Sequence, residues 1–264
     1  MSYPPSRPRR LRLAITAVVI VAALAASGTA LALLGHHRAR AVTVADRPDH
    51  ASRSARGQGN TVPPPAAAGM SRSPGQPLVT AADLAGLRWT DFYGVELPAS
   101  PSAGPLHTRG GLAWGFADTP LGALLAAVNI GVRANAQWGP GVFTPTVRHQ
   151  VTGPAAAALL AGCRAAYQSE RLAAGVRAGE PLGRAYVSEE AFRWVVYSPA
   201  AATVDIVSAG PGSQGATVRA VTQIEVTWSA GDWRVIAPVG GDWGNSAAPL
   251  TSLRGYTAFP IPNA

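Results

Sequence analysis

The stretch "TVRAVTQIEVTWSAGDWRVIAP", residues 217–238, decides the fold class. Val218, Ala220, Thr222, Ile224, Val226 and Trp228 alternate with Thr217, Arg219, Val221, Gln223, Glu225 and Thr227. That period of two is the mark of a strand with one buried face. Residues 229–232, "SAGD", supply a turn in which Gly231 can take positive φ, and Trp233, Val235 and Ala237 carry the apolar face along a return strand. Trp228 and Trp233 therefore flank a hairpin turn, where they cap a core or, alternatively, offer a platform to a ligand.

Working back from this hairpin, residues 186–198 hold a run of aromatic and β-branched residues that includes Trp194, and residues 202–207 alternate after the Ser198-Pro199 break. Two helices precede these strands. Thr119 as N-cap with Pro120 in the first turn starts one helix, whose apolar stripe is Leu121, Leu124, Leu125, Val128 and Val132. Asn129, Arg133 and Gln137 line another face, and the helix is expected to end near Trp138-Gly139-Pro140. A loop with Phe143 and a break at Pro145 follows. Residues 153–174 then read as a second helix, with Pro154 in its first turn and Gly175 near its end. Two extended pieces at 87–97 and 110–117, separated by "PASPSAGP", read as an N-terminal hairpin or arm. The sum is an α+β domain over residues 78–264.

Residues 13–35 contain no charge, and as a helix of about 1.5 Å per residue they would span about 34 Å, enough for one crossing of a bilayer. Arg7, Arg9, Arg10 and Arg12 precede the run within a basic tail, residues 1–12, which places the N-terminus in the cytoplasm and the rest outside. The alternative is a cleaved signal, although the run exceeds the usual apolar length of about 7 to 15 residues. Residues 36–77 hold six prolines, four glycines and six arginines without an aromatic residue, the composition of a disordered linker. The expected location is the cell membrane, single-pass, with residues 13–35 in contact with the lipid bilayer.

The formal charge of +8 belongs to residues 1–77, which carry ten arginines against Asp46 and Asp49. Residues 78–264 carry twelve arginines and twelve acids, so the domain is neutral and nucleic acid is not an expected partner. Cys163 is the one cysteine, too few for an internal disulfide or a thiolate metal site, and no cofactor or metal is expected. "GPGSQG" at 210–215 fits a dinucleotide-binding pattern but joins two strands rather than a strand and a helix, so it reads as a loop. Asp205, Asp232 and His149 are the available acids and bases for an enzyme. Asp205 alternates outward between Val204 and Ile206, and Asp232 sits in a turn, so both read as solvated residues, and no catalytic residue is assigned. Arg219 and Glu225 read as ordinary surface pairs.

Two helices followed by a meander of about four antiparallel strands resemble the nuclear transport factor 2-like, or cystatin-like, fold, in which two main helices pack on a curved antiparallel sheet. With one membrane span and a linker, the arrangement resembles the scaffold subunits of type IV secretion and conjugation systems. The blocks "WTDFYGVELPASPSAGP" (89–105), "GFADTPLGALLAAVNI" (115–130), "VFTPTVRHQV" (142–151) and "WSAGDWRVIAP…GDW" (228–243) resemble a family of actinobacterial membrane-anchored proteins that accompany conjugative or mobile-element genes. These resemblances imply a non-catalytic interaction or scaffold protein. Its partners would be membrane or secretion-complex proteins, and self-association into a homo-oligomer is open. The alternatives are a small-ligand or cell-wall binding module using the sheet cavity, with Trp194, Trp228 or Trp233 as ligand or interface aromatics, and an enzyme with a cavity acid or base.

Overall fold

The structure, a computed structural model, describes residues 78–212 and 215–260. The expected tail 1–12, span 13–35 and linker 36–77 lie outside the described residues. Among the described residues, no helix is long and apolar enough to cross a membrane.

The chain begins with a short helix, α1 (Ala81–Ala85), closed by a capping box between Thr80 and Asp83. Two small hairpins follow where a single one is expected. The first pairs β1 (Arg88–Phe92) with β2 (Val95–Ala99), and the second pairs β3 (His107–Arg109) with β4 (Leu112–Trp114). The first turns at Tyr93 and Gly94, with φ of 53° and 92°. A side chain at Gly94 would also meet the Ala185 carbonyl at 1.9 Å, so both the backbone and the space call for glycine.

Helix α2 (Pro120–Arg133) starts where the sequence places it, with the Thr119 hydroxyl accepting from Gly122 N–H at 3.1 Å. Every residue of α2 is buried. One side packs on the sheet and the other on β2 and β4, so α2 has no face left for water. It stops at Arg133, and a 3-10 turn (Ala136–Trp138) leads into α3 (Pro140–Gln150).

Helix α3 occupies the segment expected as a broken loop. Pro140 is tolerated at its first position and Pro145 lies inside it. Burial of Val142, Phe143 and Val147 outweighs the hydrogen bond that Pro145 cannot donate. Helix α4 (Ala156–Ala174) lies outside α3, burying Leu159, Cys163 and Tyr167 and ending at Gly175 in the left-handed region.

The main sheet has seven strands: β5 (Val151–Thr152), β6 (Ser188–Tyr197), β7 (Ala201–Pro211), β8 (Thr217–Ser229), β9 (Asp232–Ile236), β10 (Ala247–Pro249) and β11 (Thr257–Ala258). Their order across the sheet is β11-β6-β7-β8-β9-β5, with β10 also paired to β8. Strands β6 to β9 form the expected meander. Strand β5 leaves the end of α3 and pairs parallel to β9, Val151 opposite Val235. One edge of β8 is divided, its last five residues pairing with β9 and Ala220–Thr222 with β10.

These features overturn the nuclear transport factor 2-like, or cystatin-like, expectation of two main helices on a curved antiparallel sheet. The sheet is mixed, a third substantial helix feeds its parallel edge strand, and two accessory hairpins cover the far side of α2. The α+β class stands, and the alternating pattern of residues 217–238 is the β8–β9 hairpin, turned at Ala230 (φ 54°) and Gly231 (φ 79°).

Candidate functional site

The face of β7 and β8 turned away from α2 forms the floor of a large cavity, about 720 Å³, walled by the segment that runs from Ile236 to Ala248. Its floor includes Asp205, Val221, Gln223 and Glu225, and Trp243 and Asn245 stand on its wall. Asp205 does point to this face, but it is buried and not solvated. Its Oδ2 accepts from Arg193 Nη2 at 2.6 Å and Nε at 3.2 Å, and its Oδ1 accepts from Gln223 Nε2 at 3.1 Å. The Arg193 guanidinium also lies 4.6 Å from the Tyr256 ring centroid. Hydrogen bonding to Asp205 raises the pKa of Arg193. Donors thus engage both oxygens of the Asp205 carboxylate, which acts as a strut between β6, β7 and β8.

Asp232 and His149 do not line this cavity. Asp232, read as a solvated turn residue, instead accepts from three backbone N–H groups: Gly115 at 2.8 Å, Phe116 at 3.0 Å and Trp233 at 2.9 Å. His149 is exposed, and its carbonyl accepts from Arg234 Nη1 at 2.8 Å. The three acid and base candidates are therefore not gathered in one place. Arg219 pairs with Glu190 at 2.5 Å rather than with Glu225.

Trp228 and Trp233 face one another across the β8–β9 turn, ring centroids 5.5 Å apart at 66°. Trp233 is fully buried and donates from Nε1 to the Ala117 carbonyl at 2.9 Å. Trp194 packs edge-on against Tyr197 at 5.5 Å, and its Nε1 is buried with no hydrogen-bond partner among the described residues. None of the three lines the large cavity; Trp243 does, with its Nε1 bonded to the Ala134 carbonyl at 3.1 Å. Nothing in the sequence distinguishes Trp243 as the cavity tryptophan, because its place depends on the fold-back of the chain after β9.

Two further features carry polarity or exposure that the sequence hides. At residues 193–196, the outer edge of β6 has no strand partner among the described residues, and Val195 and Val196 on it are 53% and 57% exposed. Between the two N-terminal hairpins and α2 lies a cavity of about 400 Å³, lined by Phe92, Leu97, Leu112, Asn129, Arg109 and Arg133 among others. Arg133 is buried, and desolvation lowers its pKa to about 10, which leaves it charged at neutral pH. Cys163 is buried beside Ala134, and burial pushes its thiol up to about 11, which keeps it in the thiol form at neutral pH. Among the described residues, no group of three or more His, Cys, Asp or Glu side chains is placed to hold a metal ion.

The model for the family described as domain of unknown function DUF8175 matches residues 50–258. The chain belongs to this family. The DUF8175 match runs through all eleven strands, to the last residue of β11, and takes in part of the segment expected as a linker. No curated protein and no solved structure matches the chain.

Proposed function

We propose that this DUF8175 protein is a membrane-anchored, non-catalytic interaction protein whose folded domain stands outside the cell membrane and joins a conjugation or type IV secretion-like assembly. The observation that carries the interaction reading is the outer edge of β6 at residues 193–196, which no strand among the described residues covers. An open strand edge with two exposed valines presents unpaired backbone groups and apolar surface together, which is the chemistry by which one chain adds a strand to another.

Anchoring is supported by the uncharged run at residues 13–35 with the arginines before it, and by the charge-neutral composition of residues 78–264. The link to transfer machinery is supported by the four sequence blocks at 89–105, 115–130, 142–151 and 228–243. It takes nothing from the fold, since the nuclear transport factor 2-like likeness does not hold.

The test is crosslinking in intact cells and then capture of the full chain, in wild type and in a Val195→Lys, Val196→Glu variant. A membrane or transfer-complex protein should be recovered with the wild type and lost with the variant. Recovery of none would end the proposal.

A second reading, a small-ligand binding module, is favoured by one observation, the cavity with the buried, charged Arg133 in its wall.

A further inference from the structure

Burying a guanidinium costs several kcal/mol unless a counter-charge and hydrogen-bond acceptors replace water. Arg133 is only 6% exposed, yet no carboxylate among the described residues lies within ion-pair distance of it. Its Nη1 donates to the Asn129 carbonyl at 3.0 Å and to Asn129 Oδ1 at 2.7 Å. One face of the guanidinium lies 4.5 Å from the Phe92 ring centroid. Those contacts use one nitrogen and one face, and no hydrogen bond within the described residues engages Nε or Nη2.

Asn129 is itself fixed, its Nδ2 donating to the Pro98 carbonyl at 2.9 Å and the Leu125 carbonyl at 3.0 Å, so the guanidinium is held from one side by a rigid amide. The cavity at whose wall it sits has Phe92, Leu97 and Leu112 as apolar surfaces and the exposed Arg109 and Thr108 among its other residues. One carboxylate, Asp91, also lines it, but Asp91 Oδ1 is occupied by Arg184 Nη2 at 2.7 Å and Gly94 N–H at 3.0 Å. The cavity therefore has two arginines, Arg109 and Arg133, and one carboxylate that is already paired elsewhere.

The Nε–H and one Nη2–H of an arginine point the same way and match the two oxygens of a carboxylate. We propose that the cavity between the two hairpins and α2 binds a small organic carboxylate, its oxygens paired with the Nε and Nη2 edge of Arg133 and its apolar body against Phe92, Leu97 and Leu112. A volume of about 400 Å³ admits a molecule of up to about a dozen non-hydrogen atoms, at the lower end of ordinary ligand sites. Arg109 at the mouth attracts the anion, and Arg133 fixes its orientation.

Calorimetric titration of the full chain in detergent micelles tests this with butyrate, benzoate, the neutral benzamide and inorganic phosphate. At least one carboxylate should bind saturably at one site, and benzamide should bind about tenfold more weakly than benzoate or not at all. Arg133→Lys keeps a cation but loses the fork, and should weaken carboxylate binding about tenfold or more. Thr108→Trp leaves Arg133 untouched and adds bulk at an exposed residue of the cavity wall, so it should weaken binding about tenfold or more, and it decides the matter if the lysine variant does not fold. The assignment fails if no carboxylate binds, if phosphate binds more tightly than both carboxylates, or if carboxylate binding survives Thr108→Trp unchanged.

Discussion

The Asp232 carboxylate ties two separate sheets together. Its three acceptor bonds reach Gly115 and Phe116 beyond β4 as well as its own neighbour Trp233, so the β3–β4 hairpin is fastened to the β8–β9 turn through one side chain. Asp232→Ala should cost about 2–3 kcal/mol of stability, since hydrogen bonds to a charged group are the stronger kind and the orphaned N–H groups are partly enclosed, and urea denaturation would measure it. The sequence shows Asp232 only as a turn residue, because its partners lie up to 117 positions away. Glu189 is hidden for the same reason: its partner Ser208 lies on the next strand, 19 positions on, at 2.6 Å. Burial raises the Glu189 carboxyl to about 7 from an ordinary 4.5. The unfolded chain releases this proton at lower pH than the folded one, so stability is highest below about pH 4.5 as far as this group is concerned and falls as pH rises toward 7 and just beyond. The loss should be on the order of 3 kcal/mol, and Glu189→Gln should flatten that part of a stability profile recorded from about pH 4.5 to 8.

Among the elements, α2 is the clearest in the sequence and the most demanding in the structure. Thr119, Pro120 and the leucine stripe announce its start and period, but the pattern points to one apolar face, whereas the hairpins cover the opposite face as well. Leu124, with no exposed surface, should lose about 2–5 kcal/mol on change to alanine, read as a lowered denaturation midpoint. Helix α3 is illegible because Pro145 and the short apolar set Val142, Phe143 and Val147 resemble a loop until the neighbouring α4 and β4 give them something to bury against. Strand β5 is two residues long and carries no alternation to detect. Strands β6 to β9 and helix α4 are legible because their own side chains encode their faces. The large cavity is not, since its wall is a stretch of 3-10 turns and short pairings after β9 with no periodicity.

At the scale of the molecule, charge and apolar residues are partitioned along the chain: the excess of arginine and the 13–35 run come first and a neutral domain comes after. That order is plain from composition, and the orientation proposed from it can be tested. A phosphatase reporter active only outside the cytoplasm, fused after Ala264, should be active, and a cytoplasm-only reporter at the same site should be silent. The parallel pairing of β5 with β9 adds a constraint in time. Val151 and Thr152 have their strand partners at Val235 and Ile236, so a ribosome must deliver nearly the whole chain before that border can close. Until then the two residues that leave α3 wait for a mate that lies about eighty residues further along the chain.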